Sequence, residues 1–297
     1  MMDLQKTKKL IVLAGPTAVG KTNFAIEVAK YFKTEIISCD SRQIFKELNI
    51  GVARPSKQQL SEVKHNFIAT QSIHDPYDAG LYNRDVNSLL EKLFKIHDIV
   101  IMTGGTGLYI KAATEGLDNF PPKNDQLRQQ LKFILESEGI DALIDIAKSM
   151  DIDWDKLNLS NPQRIIRAIE IKKGEPDDKK NTTVNNLYST SYFFLNRDRQ
   201  ELYHRINKRV DQMLRDGFET EAKSLLPNRN LNALNTVGYK EFFSFFDGEI
   251  PKEIAINKMK QHTRNYAKRQ LTWFRNYGGY KEITTNIDLF LSIIKSI

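Results

Sequence analysis

Short continuous apolar runs alternate, over the first third of the chain, with stretches in which apolar positions recur every three or four residues. Leu10-Ile11-Val12-Leu13-Ala14 is the first run, and Phe24, Ile26, Val28 and Ala29 follow it as one face of a helix. Glu35-Ile36-Ile37-Ser38 and Ile99-Val100-Ile101-Met102 read as further buried strands. Between them, Leu81, Val86, Leu89, Leu90, Leu93 and Phe94 mark a second helical face, and Leu108 to Ala113 continues as a third helix. Ile50 to Tyr77, rich in Pro, His, Ser and Asp, reads as a long connection with one short strand near Asn66 to Ala69. Strands alternating with helices predict an α/β fold, a parallel sheet flanked by helices.

The pattern changes at Phe120-Pro121-Pro122. Amphipathic helices are predicted over roughly Asp125 to Glu138, Asp141 to Met150 and Asn161 to Lys172. The polar run Gly174 to Asn186 closes this stretch as an expected mobile loop. Tyr192-Phe193-Phe194-Leu195 then returns as a strand, so the chain is expected to divide into a core, 1–119 with 190–297, and a helical insertion, 120–189. The last third is helical: Asp198 to Arg215, stopped by Gly217; a helix opened by Gly238-Tyr239-Lys240; and a long helix after Pro251. From Ile254 to Lys281 there is no acidic residue. Lys260, Arg264 and Lys268 fall four apart on one face of that helix, and Met259, Tyr266, Gln270 and Trp273 follow another. A solvated face normally mixes signs, so a stripe of one sign fits a phosphate backbone better.

Composition adds a little. The 297 residues hold 44 Lys and Arg against 37 Asp and Glu, a net charge of +7, which suits a polyanionic partner and an ordinary basic surface about equally. Cys39 is the only cysteine, which excludes an intrachain disulfide and a Cys-based zinc site, and the five histidines are scattered. No apolar run reaches membrane-spanning length and Met1 to Lys9 lacks the apolar segment of a signal peptide, so a cytoplasmic protein without a membrane partner is expected. It is expected to act as a monomer.

The chemistry centres on Gly15-Pro16-Thr17-Ala18-Val19-Gly20-Lys21-Thr22, two glycines with four residues between them and Lys-Thr after, set between the first strand and the first helix. In that context backbone N–H groups and a helix N-terminus converge on a phosphate, Lys21 adds a charge, and the Thr22 hydroxyl can ligate Mg²⁺. ATP, GTP or another pyrophosphate would each fit. Asp40-Ser41-Arg42-Gln43 ends the second strand, on the same rim as the loop. Thr103-Gly104-Gly105-Thr106-Gly107 ends the third, where P-loop ATPases usually place an Asp for Mg²⁺, a feature that weakens the ATPase reading. Asp40 suits a general base and a turn-capping or water-mediated metal role equally well.

These stretches, together with Gly104 to Tyr109, Pro162-Gln163-Arg164-Ile165-Ile166-Arg167-Ala168, Val237-Gly238-Tyr239-Lys240 and Ala267 to Arg275, resemble the tRNA dimethylallyltransferase family, also called tRNA isopentenyltransferases. The resemblance spans nearly the whole chain in order. It departs at Asn161, where the family often has Asp, and at Lys240, where some members have Arg.

The resemblance implies a P-loop NTPase-like fold and transfer of a dimethylallyl group from its diphosphate to N6 of the adenosine 3′-adjacent to the anticodon. It implies Gly15, Thr17, Ala18, Val19, Gly20, Lys21 and Thr22 around the diphosphate with Mg²⁺ on Thr22, and Asp40 as general base. Arg209 is a further candidate for the diphosphate, and Thr106 for the adenosine or the diphosphate. Ser41, Arg42, Gln43, Gln163, Arg164, Ile165, Ile166, Arg167, Gly238, Tyr239 and Lys240 are implied tRNA contacts. Arg128 is a further candidate, as are Arg264 and Lys268 on the basic stripe. The competing readings are a P-loop small-molecule kinase using ATP and a non-catalytic RNA-binding module.

Overall fold

A computed structural model describes residues 8–117, 120, 121, 123–150, 152, 159–174 and 188–295. The Gly174 to Asn186 run lies, after its first residue, outside the described residues. The chain forms two compact units, Met1–Glu115 with Val184–Ile297, and Gly116–Thr183. The second unit's edges lie a few residues from the 120 and 189 suggested by the sequence.

In the first unit the strands are β1 (Lys9–Ala14), β2 (Ile36–Ser38), β3 (His65–Asn66), β4 (Ile99–Gly104), β5 (Ser189–Leu195) and β6 (Lys281–Ile283). They make one sheet in the order β3-β2-β4-β1-β5-β6, with every pair parallel. The helices of the first half of the chain are α1 (Lys21–Phe32), α2 (Lys57–Glu62), α3 (Ala79–Leu93) and α4 (Gly107–Glu115). Leu10 to Ala14 are wholly buried, as a strand covered on both faces must be.

Register brings the chemistry together. Ala14 pairs with Gly104 across β1 and β4, and Ser38 pairs with Thr103 across β2 and β4. The phosphate loop, the Cys39-Asp40 turn and the glycine-rich turn therefore leave the sheet at one rim, outside the carboxyl ends of the strands.

The second unit holds α5 (Asp125–Glu138), α6 (Ile140–Lys148) and α7 (Pro162–Lys173), packed around Leu131, Leu143, Ile165, Ile166 and Ile169. Asn124 and Asn161 cap α5 and α7 through their side chains. The first unit resumes with α8 (Arg199–Arg215), α9 (Phe218–Leu225), α10 (Tyr239–Phe246), α11 (Lys252–Asn276) and α12 (Ile287–Lys295). Val210, Phe218, Phe242 and Met259 join α8, α9, α10 and α11 in a second apolar cluster, while Phe290 and Ile294 of α12 pack into the core with α1 and β5.

The sequence reading omitted α2, α9, β6 and α12. Of these, α2 carries a recognisable start, a capping box in which Ser56 and Gln59 exchange hydrogen bonds. At three residues, β6 is too short for a periodicity, and its place beside β5 comes from tertiary pairing. No helix among the described residues is long and apolar enough to cross a membrane.

Candidate active site

A cavity of about 1020 Å³ opens at that rim of the first unit, lined by the phosphate loop, the Asp40 turn, Thr103 to Thr106, α8 and α11. The loop enters α1 through Gly20, whose φ of 109° is a left-handed conformation that favours glycine. Lys21 Nζ donates to the Pro16 carbonyl at 2.6 Å. Burial, and then the neighbouring Arg209, lower its pKa to about 8.

Three arginines hold successive residues of the loop. Arg197 Nε donates to Val19 O and Arg205 Nε to Ala18 O, both at 2.8 Å, and an Arg209 guanidinium nitrogen reaches Thr17 Oγ1 at 3.4 Å. Arg197 also pairs with Glu201, whereas Arg205 and Arg209 have no carboxylate partner among the described residues. Burial and the adjacent Arg205 lower the Arg209 pKa. Several cations gathered with little compensating acid are poised for an anion.

On the facing wall, one oxygen of Asp40, Oδ1, accepts from the backbone N–H groups of Arg42 at 2.9 Å and Gln43 at 3.2 Å. This is the turn-capping role, and it uses only one of the two carboxylate oxygens. Thr106 Oγ1 accepts from the Ser41 N–H at 3.1 Å and lies 3.3 Å from Ser41 Oγ. Tyr266 of α11 lines the same cavity, and burial, followed by the Asp40 charge, raises its phenol pKa. Cys39, next to Asp40, is buried, and burial raises its thiol pKa, so it is no nucleophile. The strand-end Thr103 donates its hydroxyl to the Leu13 carbonyl at 2.8 Å.

Several residues expected at an RNA surface have other surroundings. Ile165 and Ile166 are in the core of the second unit, and Gly238 and Tyr239 are buried in the first. Tyr239 donates its hydroxyl to Glu221 at 2.7 Å. The side chains of Ile165, Ile166 and Tyr239 face an interior in this structure, and Gly238 is buried beside Tyr239.

Arg42 donates to the carbonyls of Asn232, Ala233 and Asn235, and Gln43 to those of Val52 and Ala53. Arg128 makes a two-pronged pair with the buried Glu170, 2.6 Å on each prong, and Arg167 adds a bond at 3.2 Å. Burial would raise the Glu170 carboxyl, but hydrogen bonds from Arg128, the Asn124 amide and Arg167 outweigh it and hold the pKa below the usual value. Gln163 and Arg164 stay exposed on α7, and Lys240 on α10.

The basic stripe is partly engaged by α8. Lys260 pairs with Asp211 at 2.6 Å, and Arg264 bonds Asn207 at 2.7 Å while lying over the Tyr203 ring. Both partners come from α8, so two of the three cations belong to a helix–helix seam. Lys268 remains exposed.

Sequence reasoning gave no site role to Arg197, Arg205, Tyr266 or Gln270, all of which touch this rim or its loop. Two signals were available: Arg205 and Arg209 lie four apart, as do Tyr266 and Gln270, and Gln270 falls within the Ala267 to Arg275 stretch.

This is a P-loop NTPase-like α/β core whose rim carries a phosphate loop, an acid and a glycine-rich turn around one cavity. The family model for IPP transferase matches residues 43–277. A tRNA dimethylallyltransferase of Christiangramia forsetii is 48% identical over 90% of both chains. The tRNA dimethylallyltransferase 1 of Bacteroides fragilis is 44% identical over 90% of this chain and 91% of its own. Among solved structures, the tRNA isopentenylpyrophosphate transferase of Bacillus halodurans superposes with a TM-score of 0.72 at 31% identity, covering 97% of this chain and 95% of its own. The chain belongs to the IPP transferase family.

Proposed function

We propose that this protein transfers a dimethylallyl group from dimethylallyl diphosphate to N6 of the adenosine 3′-adjacent to the anticodon of tRNA, releasing diphosphate. The observation that carries the proposal is one cavity lined by an anion cradle on one side and by Asp40 and Thr106 on the other. A kinase would use the same loop, but the relatives are named for tRNA prenylation.

The unengaged loop N–H groups between Gly15 and Thr22, with Lys21 and Arg209, take the diphosphate and stabilise the charge that grows on it as the allylic C–O bond breaks. The exocyclic amine of adenine is a weak nucleophile because its lone pair is delocalised into the ring. Asp40, with Oδ1 held by its own turn, accepts one N6 hydrogen on its carboxylate, orients the amine and takes the proton as the C–N bond forms. Thr106, steadied by Ser41, positions the base. An adenosine must leave its stack to enter the cavity. Gln163 and Arg164 on the second unit, and Lys240 and Lys268 on the first, are the exposed polar groups proposed to meet tRNA.

The donor set suits a hydrated Mg²⁺ held by Thr22 and by the diphosphate itself. Among the described residues no cluster of His, Cys, Asp or Glu could hold a metal, and Mg²⁺ binds readily through few protein ligands, water and substrate phosphates. Bound there, it supplies charge neutralisation at the leaving group.

The test is incubation of the protein with Mg²⁺, labelled dimethylallyl diphosphate and unmodified tRNA. Label in adenosine of the anticodon loop is expected. ATP hydrolysis or phosphate transfer without prenylation would replace this proposal with the kinase, and tRNA retardation with neither activity would favour the binding module.

A further inference from the structure

Gln270 is buried on α11, 6% exposed, and its amide joins two loops that are far apart in sequence. Oε1 accepts from the Thr17 N–H at 2.9 Å, and Nε2 donates to the Gly105 carbonyl at 2.9 Å. The amide orientation is determined by its partners, because a backbone N–H can only donate and a carbonyl can only accept. One partner belongs to the phosphate loop. The other precedes Thr106, which is bonded to Ser41, the neighbour of Asp40.

The bond to Gly105 requires glycine there: a Cβ at that position would stand 2.1 Å from Gln270 Nε2. One turn further along α11, Trp273 fits over Gly107 in the same way, with its ring nitrogen 2.1 Å from the place of a Cβ. The glycine-rich turn has no left-handed residue at these two glycines. Its glycines provide room for α11, with Gln270 reaching through to the loop beyond.

We infer that Gln270 is a positioning residue that sets the spacing between the leaving-group cradle and the Thr106–Asp40 wall where the nucleophile is held. This rests on the transfer reaction proposed above. Its bond to Thr17 also engages one loop N–H, so the diphosphate is held by the remaining donors of the loop. Displacement of either wall by about 1 Å is enough to cost on the order of 100-fold in rate, because the reacting atoms must approach in line.

The experiment compares Gln270→Met, which keeps length and volume and removes both hydrogen bonds, with Gly105→Ala, which pushes the amide away, and with the double variant. Wild-type protein assayed in parallel must transfer label; if it does not, the functional reading fails and the strut is not the cause. The expected result is a fall of about 100-fold in kcat for each single variant. KM for both substrates and affinity for inorganic diphosphate should stay within about threefold, since the binding groups remain. The double variant should fall no further than the worse single one, because both break the same link. Circular dichroism at the assay temperature checks folding, and if Gln270→Met does not fold, Gly105→Ala and Gln270→Asn carry the same test. A kcat that stays near wild type, a loss confined to KM, or losses that multiply in the double variant would overturn the inference.

Discussion

Arginine is used in opposite ways in the two units. Around the phosphate loop, Arg205 and Arg209 bond to backbone and hydroxyl oxygens and meet no carboxylate among the described residues, so their charge faces the cavity uncancelled. In the second unit, Arg128 and Arg167 converge on the buried Glu170, whose carboxylate offsets part of their charge within the fold. A cation therefore serves a ligand where the fold withholds an acid and serves the architecture where the fold supplies one. Lys260 repeats the second case on α11, with Asp211 as its acid.

The largest effect that could break this contrast lies at Asp40. Asp40→Asn keeps an acceptor for the turn and removes the base, so transfer at saturating substrates should fall about 10²–10⁴-fold with tRNA affinity intact. Near-full turnover would reduce Asp40 to the turn cap it already forms.

The two kinds of arginine separate next. Arg209→Gln should lower kcat/KM for dimethylallyl diphosphate on the order of 100-fold without loss of stability, since a buried like charge is removed. Arg128→Gln should do the reverse and destabilise the protein by about 3 kcal/mol in urea titration, toward the low end for a broken buried pair because Arg167 remains. Equal losses of stability in both would erase the distinction.

A smaller effect is expected from pH. With its pKa lowered to about 8, Lys21 is cationic below that pH and neutral above it in the ligand-free protein. Rising pH therefore removes a diphosphate donor, and kcat/KM for the diphosphate should decline above pH 8 by up to about tenfold per unit. The bound anion restores the charge, so kcat should decline later. A flat kcat/KM from pH 7 to pH 9 would show Lys21 to be fully charged throughout.

The smallest effect sharpens the comparison at the surface. Lys260→Ala should cost less than about 1 kcal/mol and leave tRNA affinity unchanged, whereas Lys268→Ala should reduce the salt dependence of tRNA binding by about one unit of slope. If both variants changed the slope equally, the α11 stripe would be an RNA face along its whole length.

Much of the fold was readable in the chain because continuous apolar runs and helical periodicity are local signals. β1, α3, α5 and β5 lie where the patterning puts them, and the phosphate loop is recognisable from eight consecutive residues. Short elements were not readable: β6 and α12 rest on packing against strands and helices distant in sequence. Charge was the least readable feature. The acid-free length of α11 reads as a phosphate-facing stripe, but the acid that pairs with its Lys260 stands on α8, about fifty residues earlier.

By itself the sequence determined the phosphate loop, the strand-end acid and the parallel α/β order, since each depends on residues close together in the chain. The tertiary structure decided which polar groups face the cavity. Register across β1, β2 and β4 set loop, acid and turn on one rim, and α11 laid Gln270 between two of them. It also placed Glu170 beneath Arg128 and buried Tyr239 and Ile165. The physical reason is that the role of a polar side chain depends on its partners and on its access to water, and both are set by residues far away along the chain.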